Sequence, residues 1–405
     1  MEEKDIETLE KYISDYNGKV TADNAQECME NFDENWKTIT AYSADDTPKL
    51  QPKYGLALVI FSVANYESPN IGEKYIAHLS ELIYQYDTDD GVKSKLDVKQ
   101  LLFLNLGLCW HKLGTRYDEK AVSAFKKYIF YLLARSNKIL FANLTLFAFR
   151  KCNEYLYKSL INEQLNLSSP SEFNDPFDCP ILVLLKIYED DVNKLILKAY
   201  NDTLKVSCFM RNIKLLPENG NLITDDNGKP IHKKKHELDA DEYLNEQMWA
   251  HYADFHKGIC IKYHFNKKMS NMILDSDKII SYFWEIKYSD EDMAKYSNRD
   301  SISVEDSFFL KGKNWEYENE LRYLYFDIDG TGKHKQIDIP NCIEAVYFGV
   351  KCSQADKDTI IKILKDQKLI TYDLQNNRTE KDIEFYQIKM DLKHFGQLYA
   401  EAIAR

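Results

Sequence analysis

Apolar residues in the first third of the chain recur every three or four positions, which is the spacing of amphipathic helices. Successive stripes of this kind run from about position 50 to position 136, and the clearest covers 101–133. Small and bulky residues alternate within it in the order Gly107, Trp110, Ala121 and Phe125. The small residues would let two helices approach closely while the bulky ones fill the space between them. The pattern predicts an all-helical module over residues 1–136.

This alternation resembles the helical hairpin of tetratricopeptide repeats, although the interval from Gly107 to Ala121 is two residues longer than in that repeat. Such hairpins stack to bury a shared core, and their concave face holds a peptide or a partner domain. There is room for about two hairpins, fewer than the three or more of a stable array. Two roles therefore stay open, a scaffold for the rest of the chain and a binding surface for a protein partner.

The periodicity changes after Asn137, where short alternating strands are mixed with helices. The predicted strands cover 144–150, 165–168, 204–210, 259–265, 279–287, 321–327, 342–349 and 383–390. The predicted helices cover 153–163, 180–200 and 241–256, and a polar excursion fills 212–241. Elements mixed in this order indicate an α+β domain with a mixed, largely antiparallel sheet over residues 137–405.

Charge is distributed unevenly along the chain. The net charge is −12 over 405 residues, and residues 1–46 contribute most of it. Lys233, Lys234 and Lys235 form the largest basic cluster. A protein that coats nucleic acid needs many clustered Lys and Arg side chains to neutralise phosphates. General nucleic-acid coating is therefore not expected, while a local contact with RNA or DNA stays open.

The sequence also bears on the compartment. No apolar run approaches the ~20 residues that span a bilayer, and the N-terminus lacks the basic start and apolar core of a signal peptide. The eight Cys residues are scattered without a CxxC pair, a pattern typical of free thiols in a reducing cytosol. We expect a cytoplasmic protein that does not associate with membranes.

Four phrases stand out in the second part of the chain. They are LSSPSEFNDPFD at 167–178, MWAHYADFHKG at 248–258, WEYENELR at 315–322 and YFGVKC at 347–352. In this order they resemble a widespread bacterial family of uncharacterised domains that occur beside defence and mobile-element genes. The resemblance covers about 144–352 and implies a role in bacterial defence against phage or as a toxin.

A second resemblance concerns chemistry. Arg150 at a strand end, the strand running into Ser169, and Glu318-x-Glu320 follow the Arg, Ser, Glu-x-Glu order of ADP-ribosyltransferases. That family implies NAD as the substrate and a protein or nucleic-acid acceptor for ADP-ribose. Arg150 would hold the NAD phosphates or ribose, Ser169 would brace the nicotinamide pocket, and Glu320 would stabilise the cation left by nicotinamide. Glu318 would activate the acceptor.

The chain departs from that family in two ways. Ser-Ser-Pro stands where the family has Ser-Thr-Ser, and Lys151 follows Arg150 directly, so either cation would be the nucleotide contact. Glu318 and Glu320 would point to the same face of a strand, because side chains alternate along it. A carboxylate suits the role because positive charge develops in the transition state. The alternative is an exposed edge strand on which Glu316, Glu318 and Glu320 pair with surface cations, namely Lys311, Lys313 and Arg322.

Further candidates lie in two of the phrases. Asp175 would reach a ribose hydroxyl or cap a buried Asx turn held by Phe173 and Phe177. His251 and Tyr252 would line the nicotinamide pocket, with His251 as a general base or, alternatively, as a core histidine. His251 and His256 are five residues apart, about 140° around a helix, so joint metal ligation is not expected. His232 and His236 flank three lysines, which would repel a metal cation.

The leading interpretation is therefore an NAD-dependent ADP-ribosyltransferase or NAD glycohydrolase that breaks the nicotinamide–ribose bond. It requires Arg150, Ser169 and Glu320 to converge on one cleft. One alternative is a non-enzymatic sensor that binds a partner through its helical repeats. Another is a metal-dependent nuclease with carboxylates at Asp175, Asp178, Glu318 and Glu320.

Overall fold

The structure is a computed structural model of the 405-residue chain. It describes residues 20–31, 34, 55, 58–59, 61–64, 66–67, 72–88, 96–134, 143–175, 177–179, 190–211, 244–266, 278–290, 309–372, 377–393 and 397–403. These residues fall into two compact units. The first lies within Met1–Ser136, Ile181–Thr203 and Ile328–Thr331, and the second within Asn137–Pro180, Leu204–Asp327 and Gly332–Arg405. The polar excursion 212–241, including His232 and His236, and most of the acidic segment 1–46 lie outside the described residues.

The described helices are, in chain order, α1 (Glu73–Thr88), α2 (Leu96–Lys112), α3 (Asp118–Ala134), α4 (Glu154–Ile161), α5 (Asp191–Thr203), α6 (Glu246–Tyr252) and α7 (Gln354–Leu364). Three 3₁₀ helices accompany them, at Thr115–Tyr117, Pro170–Glu172 and Lys313–Glu318. In the part of the chain that the structure describes, none of these helices combines the length and the apolar character needed to cross a membrane.

The described strands are β1 (Asn143–Arg150), β2 (Gln164–Ser168), β3 (Leu204–Arg211), β4 (Ile259–Asn266), β5 (Ile279–Glu285), β6 (Lys287–Ser289), β7 (Leu310–Gly312), β8 (Glu320–Asp327), β9 (His334–Asp338), β10 (Ile343–Phe348), β11 (Lys368–Tyr372), β12 (Arg378–Asp382), β13 (Glu384–Met390) and β14 (Leu398–Ala402). The predicted strands all recur in this set, although 279–287 is divided between β5 and β6.

The first unit contains α1, α2, α3 and α5. A Cβ added to Gly107 on α2 would lie 2.4 Å from the Phe125 ring on α3, so the close approach of these helices requires glycine. A 3₁₀ helix at Thr115–Tyr117 lies between α2 and α3. Asp87 at the end of α1 is 2.7 Å from the Lys127 ammonium and 3.4 Å from that of Lys99. The N-terminal part is therefore helical, as the periodicity predicts.

The second unit is built on one large sheet. Among the described residues its strand order is β14-β13-β10-β4-β1-β3-β2-β9, with β8 paired to β3 and β5 paired to β8. Neighbours in this sheet run antiparallel except β10 and β13, which are parallel. The chain is thus α+β, with N-terminal helices and a mixed, largely antiparallel sheet.

Both faces of the sheet are buried around β1. Leu144, Leu146 and Ala148 pack in a core with α4 and α7, whereas Phe147 and Phe149 pack with Trp249 of α6 in a second core. This division follows from the alternation of side chains along a strand. The second core forms the wall of the site described below.

Two predicted helices have different limits in the structure. The helix expected at 241–256 ends at Tyr252, because Asp254, Phe255 and His256 all take left-handed backbone angles. Gly258 closes this turn, and a Cβ there would lie 2.2 Å from the Arg150 carbonyl oxygen. The helix expected at 180–200 is described only from Asp191, as α5, since positions 180–189 are outside the described residues. The hydrophobic pattern did not predict α7, β7, β9, β11, β12, β14 or the 3₁₀ helices.

Candidate functional site

The second unit contains a cavity of about 120 Å³ on the α6 side of the sheet. Its apolar lining is mostly aromatic or thioether, from Phe147, Phe149, Phe173, Phe209, Met210 and Met248. Its polar lining is Arg150, Asn174, Asp178, Cys208, Tyr252, Lys311, Glu318 and Glu320. An apolar pocket with a few convergent polar groups is the usual form of a small-molecule site.

Two strands and a short helix bring the two glutamates to this cavity. Glu320 begins β8 opposite Met210 of β3. Glu318 ends the 3₁₀ helix, and Asn319 between them has a left-handed φ of 42°. The Asn319 side chain donates to the Arg211 carbonyl oxygen at 3.0 Å and accepts from Arg211 Nε at 2.9 Å. This anchor fixes the sharp turn from which both carboxylates reach the same ammonium group.

That ammonium belongs to Lys311 of β7. Its Nζ lies 2.6 Å from Glu318 Oε2, 3.3 Å from Glu320 Oε2 and 3.5 Å from Asp178 Oδ2. Lys311 is 5 % exposed, and the three carboxylates are 3–6 % exposed. Charges this deeply buried are tolerated only when they are paired and hydrogen-bonded.

Arg322 supplies the second cation of the cluster. Its Nε donates to Glu320 Oε1 at 2.6 Å and its Nη2 to Asp178 Oδ2 at 2.7 Å. The guanidinium also lies over the Phe173 ring, 4.8 Å from its centroid. Asp178 and Arg322 are 144 residues apart in sequence. Five ionisable residues from three segments of the chain thus form one buried network, which we call the carboxylate cluster (Asp178, Lys311, Glu318, Glu320 and Arg322).

The environments of the two glutamates push their pKa values in opposite directions. Burial opposes ionisation of Glu320, but Arg322 and Lys311 outweigh it and lower its pKa to about 2. Burial raises the pKa of Glu318, and Lys311 only partly offsets this effect. Pairs of carboxyl groups separated in this way divide the roles of charged stabiliser and proton-transfer group.

Tyr252 of α6 completes the Glu318 environment. Its hydroxyl donates to Glu318 Oε1 at 2.5 Å. Burial, followed by the negative charge of Glu318, raises the pKa of the Tyr252 hydroxyl. The tyrosine therefore stays protonated and acts as a hydrogen-bond donor to the glutamate.

The structure brings some of the predicted site residues together and leaves others apart. Arg150 lines the cavity, where its Nη1 donates to the Phe149 carbonyl oxygen at 2.9 Å, whereas Lys151 is exposed. Ser169 is fully buried outside the cavity lining, and it caps the 3₁₀ helix Pro170–Glu172 through the Ser171 backbone N–H. Arg150 and Glu320 therefore share one cavity, but Ser169 does not join them, so the expected convergence of all three residues is met only in part.

The other two candidates lie beside the cavity. Asp175 is buried and accepts from the Phe177 backbone N–H at 3.0 Å, which is an Asx turn, but Phe177 is exposed rather than docked. His251 is exposed, and its Nδ1 is 2.9 Å from the Tyr317 hydroxyl. His251 is thus neither a core histidine nor a cavity residue, because the helix turns its side chain outward.

The alternative prediction, in which the glutamates lie on an exposed edge strand, is wrong. β8 lies between β3 and β5, and its residues from Glu320 to Phe326 are buried. The surface partners expected there, Lys311 and Arg322, are instead the buried cations of the cluster. Alternating glutamates indicate an exposed strand only when no cation is buried beside them. The sequence does not reveal that Lys311 and Arg322 lie beside these glutamates in the fold.

The arrangement of the carboxylates bears on metal binding. The Lys311 ammonium lies within 3.5 Å of all three carboxylates, so a side-chain cation already bridges them. Elsewhere in the described part of the chain, Cys152, Cys352 and Asp356 offer three ligand atoms within 4.8 Å of one another. Tyr157 and Ser353 each donate to the Asp356 carboxylate at 2.6 Å.

Two comparisons with known proteins found a match. The family described as "Protein of unknown function (DUF2971)" matches residues 248–323, a stretch that includes two of the four phrases. The chain is 24% identical over 235 residues to "Putative histone-lysine N-methyltransferase 1" of Plasmodium falciparum (isolate 3D7), an alignment that covers 48% of this chain and 3% of that protein. No solved structure matches the chain. The match over residues 248–323 is consistent with the predicted uncharacterised domain, while nothing found supports the tetratricopeptide or ADP-ribosyltransferase resemblance.

Proposed function

We propose that the second unit cleaves the nicotinamide–ribose bond of NAD at this cavity and transfers ADP-ribose to a macromolecular acceptor or to water. One observation carries the proposal: Arg150, Glu318 and Glu320 line the same aromatic-walled cavity. A planar ring packs well against such walls, and a guanidinium beside it suits a phosphate. The cavity is smaller than the ~300–1,000 Å³ of sites that enclose whole ligands, so it would receive the nicotinamide end of the dinucleotide.

The two glutamates have different roles in the proposed reaction. The bond between ribose C1′ and the nicotinamide nitrogen breaks, and both of its electrons leave with nicotinamide. Glu320, ionised because of its lowered pKa, stabilises the positive charge that develops on the ribose. The acceptor hydroxyl then bonds to C1′ while its proton passes to Glu318, whose raised pKa suits a general base.

Ser169 has a different role in this proposal from the one its sequence position implies. Its backbone N–H donates to the Lys333 carbonyl oxygen at 2.8 Å, and its hydroxyl caps the following 3₁₀ helix. It would therefore hold the segment that presents Phe173 and Asn174 to the cavity, without contacting NAD. The metal-dependent nuclease is less well supported, because the Lys311 ammonium already lies among the three carboxylates that would have to bind the metal.

The test measures NAD consumption and transfer of labelled ADP-ribose in a bacterial lysate that supplies acceptors. We expect Glu318→Gln to lower the rate by about 10²–10⁴-fold and Glu320→Gln by about 10²–10³-fold. Glu316→Gln is the matched control, since Glu316 lies in the same 3₁₀ helix but is exposed. Far-UV circular dichroism of each variant separates lost chemistry from lost folding.

Two results would count against the proposal. One is a parental protein that consumes no NAD in the lysate, and the other is equal turnover by the Glu318→Gln and Glu316→Gln variants. Binding of NAD without turnover would favour a nucleotide sensor instead.

A further inference from the structure

Two cysteines and an aspartate meet in the second unit, outside the described lining of the cavity. The Sγ atoms of Cys152 and Cys352 and a carboxylate oxygen of Asp356 all lie within 4.8 Å of one another. Cys352 is 7 % exposed, while Cys152 and Asp356 are half-buried. Both cysteines are free thiols. Because they are far apart in sequence, the tertiary fold must bring these three side chains together.

The starts of two helices lie at this meeting point. Cys152 directly precedes Asn153, the N-cap of α4, and Cys352 directly precedes Ser353, the N-cap of α7. Asp356 lies in the first turn of α7. Both helices pack in the core that also contains Cys352. The N-terminal end of a helix carries partial positive charge, which favours thiolate and carboxylate groups beside it. Two such ends therefore adjoin the three side chains and offset part of their negative charge.

Hydrogen bonds hold the Asp356 carboxylate in place. The Tyr157 hydroxyl of α4 donates to Oδ1 at 2.6 Å, and the Ser353 hydroxyl donates to Oδ2 at 2.6 Å. Each carboxylate oxygen has a second lone pair, so both can still contact a metal. Donors of this kind orient the carboxylates that bind metals. Helix capping accounts for Ser353, whose Oγ accepts from the Asp356 backbone N–H at 3.1 Å, but it does not account for Tyr157 or for the two thiols.

We propose that Cys152, Cys352 and Asp356 bind one Zn²⁺ ion, with water as the fourth ligand. Zinc binds thiolates at about 2.3 Å and carboxylates at about 2.0–2.2 Å in a tetrahedral arrangement, which places two bound sulfurs about 3.8 Å apart. Atoms that already lie within 4.8 Å of one another need only small movements to reach that geometry. Mg²⁺ and Ca²⁺ take oxygen ligands, so two sulfurs select a softer ion. Binding releases both thiol protons to solvent.

The test measures Zn²⁺ binding to the full, reduced chain after a chelator has removed bound metal. Competition with a colorimetric zinc chelator should give about one equivalent of Zn²⁺ with a Kd below about 1 µM. Co²⁺ in the same site should give thiolate-to-cobalt absorption in the near ultraviolet, and added Zn²⁺ should abolish it. Less than about half an equivalent of bound zinc, or a cobalt complex without thiolate absorption, would overturn the proposal.

Cysteine variants assign the ion to this site. Cys152→Ser removes a ligand and should weaken zinc binding by more than about 100-fold, because losing only a residue that orients a ligand already costs about 10–100-fold. Cys28→Ser is the matched control, since Cys28 is also a half-buried free thiol but lies in the first unit. Equal zinc affinities in the two variants would overturn the assignment.

A tyrosine pair tests whether Asp356 is a ligand. Tyr157→Phe removes a hydrogen bond to the carboxylate and should weaken zinc binding by about 10–100-fold. Tyr155→Phe is the control, because Tyr155 lies in the same helix and is 67 % exposed. Equal affinities in this pair would exclude the three-residue site, and the pair still decides if Cys152→Ser fails to fold. The readout is bound metal, so the outcome is independent of NAD cleavage.

Discussion

Removing Arg322 should destabilise the second unit strongly. The guanidinium is 1 % exposed, and it bonds to Glu320 and Asp178 at 2.6–2.7 Å. In Arg322→Met the side chain keeps a similar length and loses its charge. Lys311 would then face three carboxylates alone, with one of them, Asp178, keeping only a 3.5 Å contact to a cation. The variant therefore leaves uncompensated negative charge in the core.

The size of the effect follows from that burial. Removing one partner of a buried ion pair costs about 3–5 kcal/mol, against a total free energy of unfolding of about 5–15 kcal/mol for a domain. For a unit of this size about 1 kcal/mol corresponds to a Tm shift of about 2–4 °C, so we expect a loss of roughly 6–20 °C. Arg322→Lys keeps the positive charge but loses the planar guanidinium that bonds Glu320 and Asp178 together. Its stability should lie between those of the parent and of Arg322→Met.

Urea unfolding followed by tryptophan fluorescence at pH 7 measures the loss of free energy of unfolding, and thermal unfolding measures the Tm shift. Lys158→Met is the control, because Lys158 forms an exposed ion pair with Glu154 at 3.6 Å in the same unit. Exposed pairs contribute about 0–1 kcal/mol. The reasoning fails if Arg322→Met loses no more stability than Lys158→Met, since the cluster would then not depend on its second cation.

Three further predictions concern the residues around the cluster. The pKa of Glu320 lies near 2 in the folded chain, against an ordinary value of 4.5. The ionised glutamate therefore contributes about 3 kcal/mol to the free energy of unfolding at neutral pH, and this contribution is lost as the pH falls from about 5 to 2. Urea midpoints across that range should therefore fall more steeply for the parent than for Glu320→Gln. Tyr252→Phe removes the hydroxyl that stabilises ionised Glu318, so the pKa of Glu318 should rise. The acidic limb of the pH profile of NAD turnover should then move to higher pH. A limb that does not move would exclude Glu318 as the base. Gly258→Ala places a Cβ 2.2 Å from a carbonyl oxygen of β1 and should cost about 1–3 kcal/mol in urea unfolding, whereas Gly312→Ala, whose nearest neighbour atom would be 3.9 Å away, should change stability by less than about 0.5 kcal/mol.

The sequence predicts the sheet well where side chains alternate between two apolar faces. In β1 the alternating set from Leu144 to Phe149 marks both faces correctly, because each face is buried against its own core. Asn153 likewise predicts the start of α4, because its side chain caps the helix by accepting a hydrogen bond from the Leu156 backbone N–H. Such elements can be predicted from neighbouring residues, because the interactions that form them are close in sequence.

The backbone around the glutamates could not be predicted in this way. Glu316, Glu318 and Glu320 alternate like a strand, yet Glu318 ends a 3₁₀ helix and only Glu320 begins β8. The turn depends on Asn319, whose left-handed conformation is stabilised by hydrogen bonds to Arg211, 108 residues away in sequence. A tertiary contact overrides the local pattern here, and a single sequence contains no sign of it.

Stability alone does not explain the carboxylate cluster. Replacing a buried ion network by apolar side chains of similar volume is often neutral or stabilising by about 1–4 kcal/mol, so a central strand such as β8 would gain nothing from Glu320 and Arg322 as packing groups. A role in the cavity explains the network better. Glu318 and Glu320 both line the cavity, so the buried charges that cost stability are also the groups that would act on a bound substrate.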